Sequence, residues 1–388
     1  DTRSHAEAAR LDATPGVRDL SGNIVFPGFT APKLVWMARH ESALFDRVAC
    51  VLLPKDYLRL WLTGERVSEM SDASGTSWLD VAGRDWSEPL LAAGGMRRDQ
   101  MPALVEGSAP SGHLRRDLAE RWGIAGPVVV AGGAGDNAAT AIGAGTVAEG
   151  QGFVSLGTSG VVFAASDRFL PAPDMAVHAF CHALPATWHQ MGVILSATDS
   201  MTWLSEITGK AVQDLAALVP ETVATPSPAL FLPYLSGERT PLNDPDATGA
   251  FLGLRRASGL GDLAQGVMEG VALAFADCVQ ALRKAGTPIE AAYAVGGGAR
   301  SRAWLRIMAS ATGLTLLEPE DGDFGAAFGA ARLGAACVTG DLSDAGFPKP
   351  AVRAEVAPDA GLAARYAEKY VAFHAAYPQL RSLGQPAA

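Results

Sequence analysis

The sequence has few cysteines, no long apolar run and no block of basic residues, and each lack argues against a class of protein. Four cysteines occur among 388 residues and none forms a Cys-x-x-Cys pair. We expect buried thiols in a cytosolic protein rather than a disulfide scaffold. No stretch reaches the roughly 18 consecutive apolar residues of a membrane span. Acids outnumber bases by 41 to 31, so we expect no binding to nucleic acid.

Motifs of several common enzyme classes are also missing. No Gly-x4-Gly-Lys-Ser/Thr phosphate loop, His-Glu-x-x-His zinc motif or Gly-x-Ser-x-Gly nucleophile elbow occurs. His178, His182 and His189 lie near one another around Cys181, but their spacing matches no standard zinc site. We therefore expect these histidines in the core or on the surface. The tryptophans are more typical of a core than of a sugar-binding platform.

The composition itself is that of a folded protein of two domains. Hydrophobic residues make up 48% and charged residues 19% of the chain, which is enough apolar material for sizeable cores. The length favours two domains. Glycines at 143, 145 and 150 interrupt the chain. We place the domains at 1–148 and 149–388.

Short apolar strands alternate with helical patterns, which predicts an α/β architecture with two lobes. The run at 128–131 has the β-branched composition of a buried parallel strand. Alternation around a Gly-Thr-Ser-Gly turn predicts a hairpin over 153–163. Residues 292–295 form another expected strand, and long helices are expected at 263–284 and 361–380. The small residues of 324–336 suit close helix packing, and 340–360 is expected to be a linker.

The end of the predicted strand at 128–131 carries the first candidate site. Gly132, Gly133 and Gly135 precede Asp136 and Asn137. In open α/β sheets, ligands bind beyond the carboxyl ends of strands. A carboxylate there can accept a proton from a substrate hydroxyl. Equally, Asp136 could simply cap the helix that follows.

Two further glycine-bearing turns could hold phosphate groups. The hairpin turn Gly157-Thr158-Ser159 offers backbone N–H groups and hydroxyls to an anion. The three glycines at 296–298, between a strand and a helix, leave room for a flat ligand or a phosphate. An ordinary β-turn and a tight packing turn explain the same two patterns without a ligand.

Together these pieces resemble the FGGY family of carbohydrate kinases. The family's first signature is matched by GFTAPKLVWMARH at 28–40, and its second by residues 249–269, with Gly266 where the pattern expects Ala or Ser. Four more stretches resemble the members that act on D-xylulose: LLPKDYLR at 52–59, SDASGT at 71–76, CHALP at 181–185 and LPYLSGERTP at 232–241. Ribulose, gluconate, glycerol or another polyol are the alternative substrates.

The resemblance implies an actin/hexokinase-like (ribonuclease H-like) fold of two lobes with mixed sheets, and an active site in the cleft between them. It implies transfer of a phosphoryl group from MgATP to the 5-hydroxyl of D-xylulose, and it suggests a homodimer. The N-terminal lobe would bind sugar and the C-terminal lobe ATP. Magnesium ligands are not assigned.

The resemblance also assigns roles to particular residues. Asp136 would be the general base, and Asn137 would help hold the sugar. Gly157, Thr158 and Ser159 would line the ATP phosphates. The remaining nucleotide contacts would come from Gly297, Gly298 and Arg302.

Two family motifs are missing from the chain: an Asp-x-Gly-Thr-x-Ser phosphate loop on the first hairpin and a Met-His-Gly stretch that contacts sugar. The sequence starts at Asp1, without Met, at a position that resembles a point well inside a full-length member. We expect either a truncated chain or an N-terminal segment outside the printed sequence. If nothing precedes Asp1, the first lobe lacks its first strands, and we then expect no kinase activity.

Overall fold

The computed structural model describes residues 3–320, 325–343 and 345–384. Its α-helices are α1 (His5–Asp12), α2 (Val17–Ser21), α3 (Thr30–His40), α4 (Ser42–Phe45), α5 (Pro54–Thr63), α6 (Met70–Ala73), α7 (Glu88–Ala93), α8 (Arg116–Trp122), α9 (Asp136–Gly143), α10 (Thr198–Thr208), α11 (Val212–Ala217), α12 (Leu260–Lys284), α13 (Arg302–Thr312), α14 (Ala326–Thr339) and α15 (Ala360–Gly384). In the part of the chain that the structure describes, no helix is long and apolar enough to cross a membrane.

The strands are β1 (Val67–Glu69), β2 (Leu79–Asp80), β3 (Asp85–Trp86), β4 (Ala103–Val105), β5 (Pro110–His113), β6 (Val129–Ala131), β7 (Gly152–Leu156), β8 (Gly160–Ser166), β9 (His178–Cys181), β10 (Trp188–Ile194), β11 (Leu230–Leu232), β12 (Ala250–Leu252), β13 (Ala291–Val295), β14 (Thr315–Pro319) and β15 (Val352–Val356). Seven of them form one mixed sheet in the order β15-β14-β13-β7-β8-β10-β9. β13 pairs in parallel with β7 and β14, and the other pairs are antiparallel.

The two faces of this sheet have different neighbours, and this difference positions the site. Because side chains alternate along a strand, Ile194 on β10 packs in the same core as α12, including Val271 and Phe275. Met191 belongs instead to a cluster with Ala141 of α9. The helix that begins at Asp136 therefore lies on the sheet face opposite α12.

The N-terminal part of the chain has its own core. Its large, almost completely buried side chains include Trp78, Leu79, Leu90 and Leu91. Four of its strands pair two by two, β1 in parallel with β4 and β2 antiparallel to β3. The described strands of this part form two-stranded sheets, and helices connect them.

Three expectations about local structure are wrong. β6 is half-buried and pairs antiparallel with β5, because β-branched composition does not specify the direction of the partner strand. The expected linker at 340–360 contains β15, an edge strand with antiparallel pairing to β14. Cys50 and Cys337 are only half-buried, although Cys181 and Cys278 are fully enclosed.

The tryptophans divide between core and surface. Trp78, Trp86 and Trp304 are buried, as expected. Trp61 and Trp122 are 44% and 47% exposed, with ring centroids 5.9 Å apart. The expectation that the tryptophans lie in the core is therefore correct for some of them and wrong for Trp61 and Trp122.

Candidate active site

Asp136 is the first residue of α9 and its side chain is exposed. Its Oδ1 accepts hydrogen bonds from the Asn137 backbone N–H at 2.8 Å and from Asn137 Nδ2 at 3.1 Å. The first of these bonds is local, but Gly135 is the N-cap residue and no side chain caps this end of α9, so the capping interpretation is wrong. The second orients the carboxylate, which remains open to solvent.

A pocket of about 70 Å³ opens beside Asp136. Its walls come from α6, the start of α9, and strands β9 and β10; they are Ser71, Asp72, Gly75, Gly135, Asp136, Asn137, Ala138, Phe180, His189 and Met191. The structure thus brings Asp136 and Asn137 together, as expected. It adds polar groups from far along the chain that no spacing argument had placed there.

A hydrogen bond ties α6 to the loop before Asp136. The Gly135 N–H donates to Ser71 Oγ at 3.0 Å, and Ser71 Oγ donates to Glu69 Oε2 at 2.7 Å. Glu69 in turn caps α6 by accepting the backbone N–H groups of Ser71 and Asp72 at 2.7 and 2.9 Å. The SDASGT stretch at 71–76, noted in the sequence as part of the family resemblance, is the signal that could have identified these residues.

A charged network lies behind this wall of the pocket. Lys55 Nζ is 2.9 Å from Asp56, 3.2 Å from Glu69 and 3.3 Å from Asp72. Burial, reinforced by the nearby Glu69 and Asp56, raises the pKa of Asp72 to about 6 against the attraction of Lys55. The three acids raise the pKa of Lys55, which stays protonated.

Arg59 connects the network to the glycine loop. Its guanidinium donates to Asp56 Oδ1 at 2.8 Å, to the Val67 carbonyl at 2.6 Å and to the Gly132 carbonyl. Arg59 is 5% exposed. A buried, fully bonded guanidinium therefore holds the start of the loop that leads to Asp136.

The expected phosphate turn lies at the end of the β7–β8 hairpin. Thr158 and Ser159 are exposed. Two backbone hydrogen bonds from the start of α10 fix the turn. The Thr198 N–H donates to the Gly157 carbonyl at 2.9 Å, and the Ala197 N–H donates to the Thr158 carbonyl at 2.8 Å. The turn therefore presents its hydroxyls outward from a rigid base.

The second glycine turn packs directly against this hairpin. Gly296 has φ +92°, and a Cβ added there would lie 2.7 Å from the Leu156 carbonyl oxygen. A Cβ on Gly298 would lie 2.5 Å from Leu156 Cδ2 and 2.9 Å from Thr198 Cγ2. Only glycine permits this approach, whereas Gly297 faces open space.

A pocket of about 850 Å³ adjoins these turns. Gly297, Gly298 and Arg302 line it, together with Thr198 and apolar side chains of α10, α11 and α12. The Arg302 guanidinium is held by Glu318, which also accepts from Arg353 at 2.9 Å. Arg302 thus forms a fixed part of the wall.

Strand β10 connects the first pocket with the phosphate turn. Met191 lines the first pocket, and Ile194 pairs with Gly160 at the base of the turn. Three residues of extended strand span about 10 Å. The turn is therefore about that distance along β10 from the first pocket.

This architecture is that of the two-domain α/β kinases related to actin-like ATPases, as the comparisons with known proteins show. Residues 1–143 match the N-terminal domain of the FGGY family of carbohydrate kinases, and residues 152–337 match its C-terminal domain. The chain belongs to the FGGY family of carbohydrate kinases.

Similar proteins support this assignment over almost the whole chain. A xylulose kinase of Escherichia coli (strain K12) is 47% identical over 386 residues, which are 99% of this chain and 80% of that relative. The crystal structure of a xyloylose kinase from Brucella ovis is 55% identical with a TM-score of 0.97, covering 99% of this chain and 79% of that one. A xylulose kinase structure from Rhodospirillum rubrum, 29% identical, has a TM-score of 0.90 over the same shares.

Proposed function

We propose that this protein catalyses the ATP-dependent phosphorylation of D-xylulose to D-xylulose 5-phosphate. The observation that carries the proposal is the exposed Asp136 carboxylate beside a polar pocket, together with a larger pocket that Gly297 and Gly298 line. The xylulose kinases of similar sequence favour this sugar over other ketoses and polyols.

Asp136 would act as the general base in this reaction. Its carboxylate would accept the proton of the 5-hydroxyl as the hydroxyl oxygen attacks the terminal phosphorus of ATP. Asn137 supports this role because its side-chain N–H groups orient the carboxylate and its amide lies in the same pocket. Positioning and charge stabilisation then supply most of the catalysis.

The nucleotide would occupy the 850 Å³ pocket, with its phosphates directed toward the turns. Gly157, Thr158 and Ser159 would contact phosphate through backbone N–H groups and hydroxyls. Gly297 and Gly298 would let the backbone approach the nucleotide closely. Since Glu318 holds Arg302, Arg302 would shape the pocket wall rather than move with the phosphates.

Magnesium would accompany the nucleotide. Within residues 3–320, 325–343 and 345–384, no group of three or more histidine, cysteine or acidic side chains could hold a metal ion. Mg²⁺ generally binds through substrate phosphates and water with one or two carboxylates. When bound, the ion would neutralise charge on the transferring phosphoryl group.

The remaining expectations are part of the same proposal. The sugar would bind mainly to the N-terminal part (1–148), with Phe180, His189 and Met191 completing its pocket, and ATP would bind to the C-terminal part (149–388). We also propose a cytoplasmic location, because all four cysteines are free thiols, as is usual in a reducing compartment. The homodimer stays a prediction.

The test is ADP release by the intact protein over a panel of D-xylulose, ribulose, gluconate and glycerol. We expect the highest kcat/KM with D-xylulose. Asp136→Asn should lower kcat by at least about 10²-fold with sugar binding retained. Equal rates with glycerol would reject the sugar assignment, and unchanged turnover in Asp136→Asn would reject the base.

A further inference from the structure

A second carboxylate lies in the pocket beside Asp136, and the proton transfer assigned to Asp136 does not require it. The Asp72 side chain is 33% exposed, so one part of it faces open space while Lys55 lies 3.3 Å from Oδ2. Burial raises the pKa of Asp72 to about 6, so the carboxyl is still mostly charged at neutral pH. The oxygens of the charged Asp72 carboxylate accept hydrogen bonds.

The position of Asp72 relative to Asp136 is rigid. The Ser71 hydroxyl accepts the Gly135 N–H at 3.0 Å. A Cβ added to Gly135 would lie 3.6 Å from Asp72 Oδ1. The backbone next to each carboxylate is thus held to that of the other, and both carboxylates line one small pocket.

His189 forms the inner wall of the same pocket. Its side chain lines the pocket and is 2% exposed. The ring is held by stacking on Phe163, with centroids 4.5 Å apart. Both ring nitrogens are closed off from solvent, and among the residues that the structure describes they have no hydrogen-bond partner. His189 therefore gives the pocket a rigid aromatic floor.

The charge around the pocket selects the kind of ligand. In the part of the chain that the structure describes, Asp56, Glu69 and Asp72 form ion pairs with two cations, Lys55 and Arg59. Asp136 adds a further acidic group to the lining of the pocket. This surplus of acids repels phosphate and favours an uncharged ligand whose hydroxyls donate hydrogen bonds.

We propose that Asp72 is a further sugar-binding residue, whose carboxylate accepts hydrogen bonds from substrate hydroxyls other than the one that reacts, and thereby selects a polyhydroxylated sugar. This inference rests on the proposed function and names a determinant of its specificity. Lys55 holds the Asp72 side chain in place, and His189 forms the floor beneath the same hydroxyls.

The test compares Asp72→Asn with the wild type in the intact protein. A hydrogen bond to a charged group contributes about 1.5–3 kcal/mol, so we expect KM for D-xylulose to rise by about 10- to 100-fold. Because Asp72 takes no part in proton transfer, kcat should change by less than about threefold. The variant should also lose discrimination against one monodeoxy analogue of D-xylulose that keeps the 5-hydroxyl and that the wild type uses poorly.

Asp99→Asn is the matched control, since Asp99 lies in the same part of the chain with a side chain that is 71% exposed. It should leave kcat and KM unchanged. Thermal unfolding of both variants shows whether they fold, and calorimetric titration of D-xylulose without nucleotide measures binding separately from turnover.

Two results would overturn the inference. An unchanged KM with discrimination retained would show that Asp72 does not contact the sugar. A fall in kcat at constant KM would place Asp72 in the chemical step instead. These results differ from failure of the proposed function, in which the wild type itself neither binds nor phosphorylates D-xylulose.

Discussion

Gly329 on α14 lies so close to Ala139 on α9 that a Cβ added to Gly329 would stand 1.7 Å from the Ala139 carbonyl oxygen. Small residues along both helices make this approach possible. Since α9 begins with Asp136, the contact also helps to hold the candidate base in place. The close packing expected from the small residues near 324–336 is confirmed for the described residues.

Gly329→Ala should therefore be destabilising. The added methyl group would force the two helices apart, and such overpacking costs about 1–3 kcal/mol. Urea unfolding followed by circular dichroism measures the loss. We also expect lower kcat, because α9 would shift.

Gly334→Ala on the same helix is the matched control. A Cβ at Gly334 meets nothing within 4 Å. Replacing a helical glycine with alanine should then stabilise by about 0.5–1 kcal/mol. If both variants had the same effect, contact with α9 would not be the cause.

Asp72→Asn should stabilise the protein while it weakens sugar binding. The pKa of Asp72 is raised from 3.8 to about 6, so the neutral form folds more favourably than the charged one. The protonated carboxyl therefore supports stability below pH 3.8, and that support is lost as pH rises through 6. Relative to the wild type, the variant should gain in Tm above pH 6, with the gain shrinking toward pH 4.

Thermal scans between pH 4 and pH 8 check this expectation. A gain that is constant with pH, or largest in acid, would contradict it. Asp99→Asn again serves as the control and should show no such trend.

His374 should make stability depend on pH in a separate range. Its Nε2 lies 2.7 Å from Asp277 Oδ1, and this hydrogen bond raises the pKa of His374 above its ordinary 6.5. The stabilisation of the folded protein by protonated His374 is thus fully present below pH 6.5. It is lost as the pH rises through the higher pKa that His374 has in the folded protein. His374→Gln should be less stable than the wild type in mild acid, with the difference shrinking toward pH 9.

Thermal scans of this variant beside His113→Gln provide the measurement, since His113 is an exposed residue of β5. A difference that grew with rising pH would refute the role of His374.

Lys369→Met should cause the largest loss of stability of these variants. Lys369 pairs with the fully buried Glu269 and donates to the Ser227 and Ala229 carbonyls at 2.9 and 2.8 Å. Removing one partner of a buried ion pair costs about 3–5 kcal/mol, because the other charge loses its counter-ion. Denaturant unfolding measures the loss, and Glu368→Gln on the exposed side of α15 is the control. A cost as small as that of the control would show that the Lys369–Glu269 pair does not stabilise the fold.

Gly298→Ala should weaken nucleotide binding in particular. The added Cβ would meet Leu156 and Thr198, so the turn must shift. We expect KM for ATP to rise by about tenfold or more, with KM for D-xylulose unchanged. Gly259→Ala, where a Cβ meets nothing within 4 Å, should alter neither. Equal rises for ATP and D-xylulose would indicate a general loss of structure.

Some elements could be predicted because their causes are local. The hairpin around Gly157 follows from alternating apolar residues and turn chemistry. The long apolar face of α12 follows from helical spacing. β15 was missed because its alternation is short and lies among prolines. The predicted parallel pairing of β6 was wrong. Its partner is β5, in an antiparallel pair, and tertiary packing rather than the residues of β6 decides which strand it pairs with.

The sequence by itself determined the family, the alternation of strands and helices, and the place of Asp136 after a glycine loop, since these depend on residues adjacent in the chain. Only the tertiary structure decided that Lys55, Asp72 and His189 meet at the pocket beside that carboxylate, Asp72 and His189 in its lining and Lys55 behind Asp72. They come from α5, α6 and β10, and no local pattern records which distant segments meet when separate apolar faces are buried together. The raised pKa of Asp72 has the same origin, because burial and neighbouring charge exist only once the chain has folded.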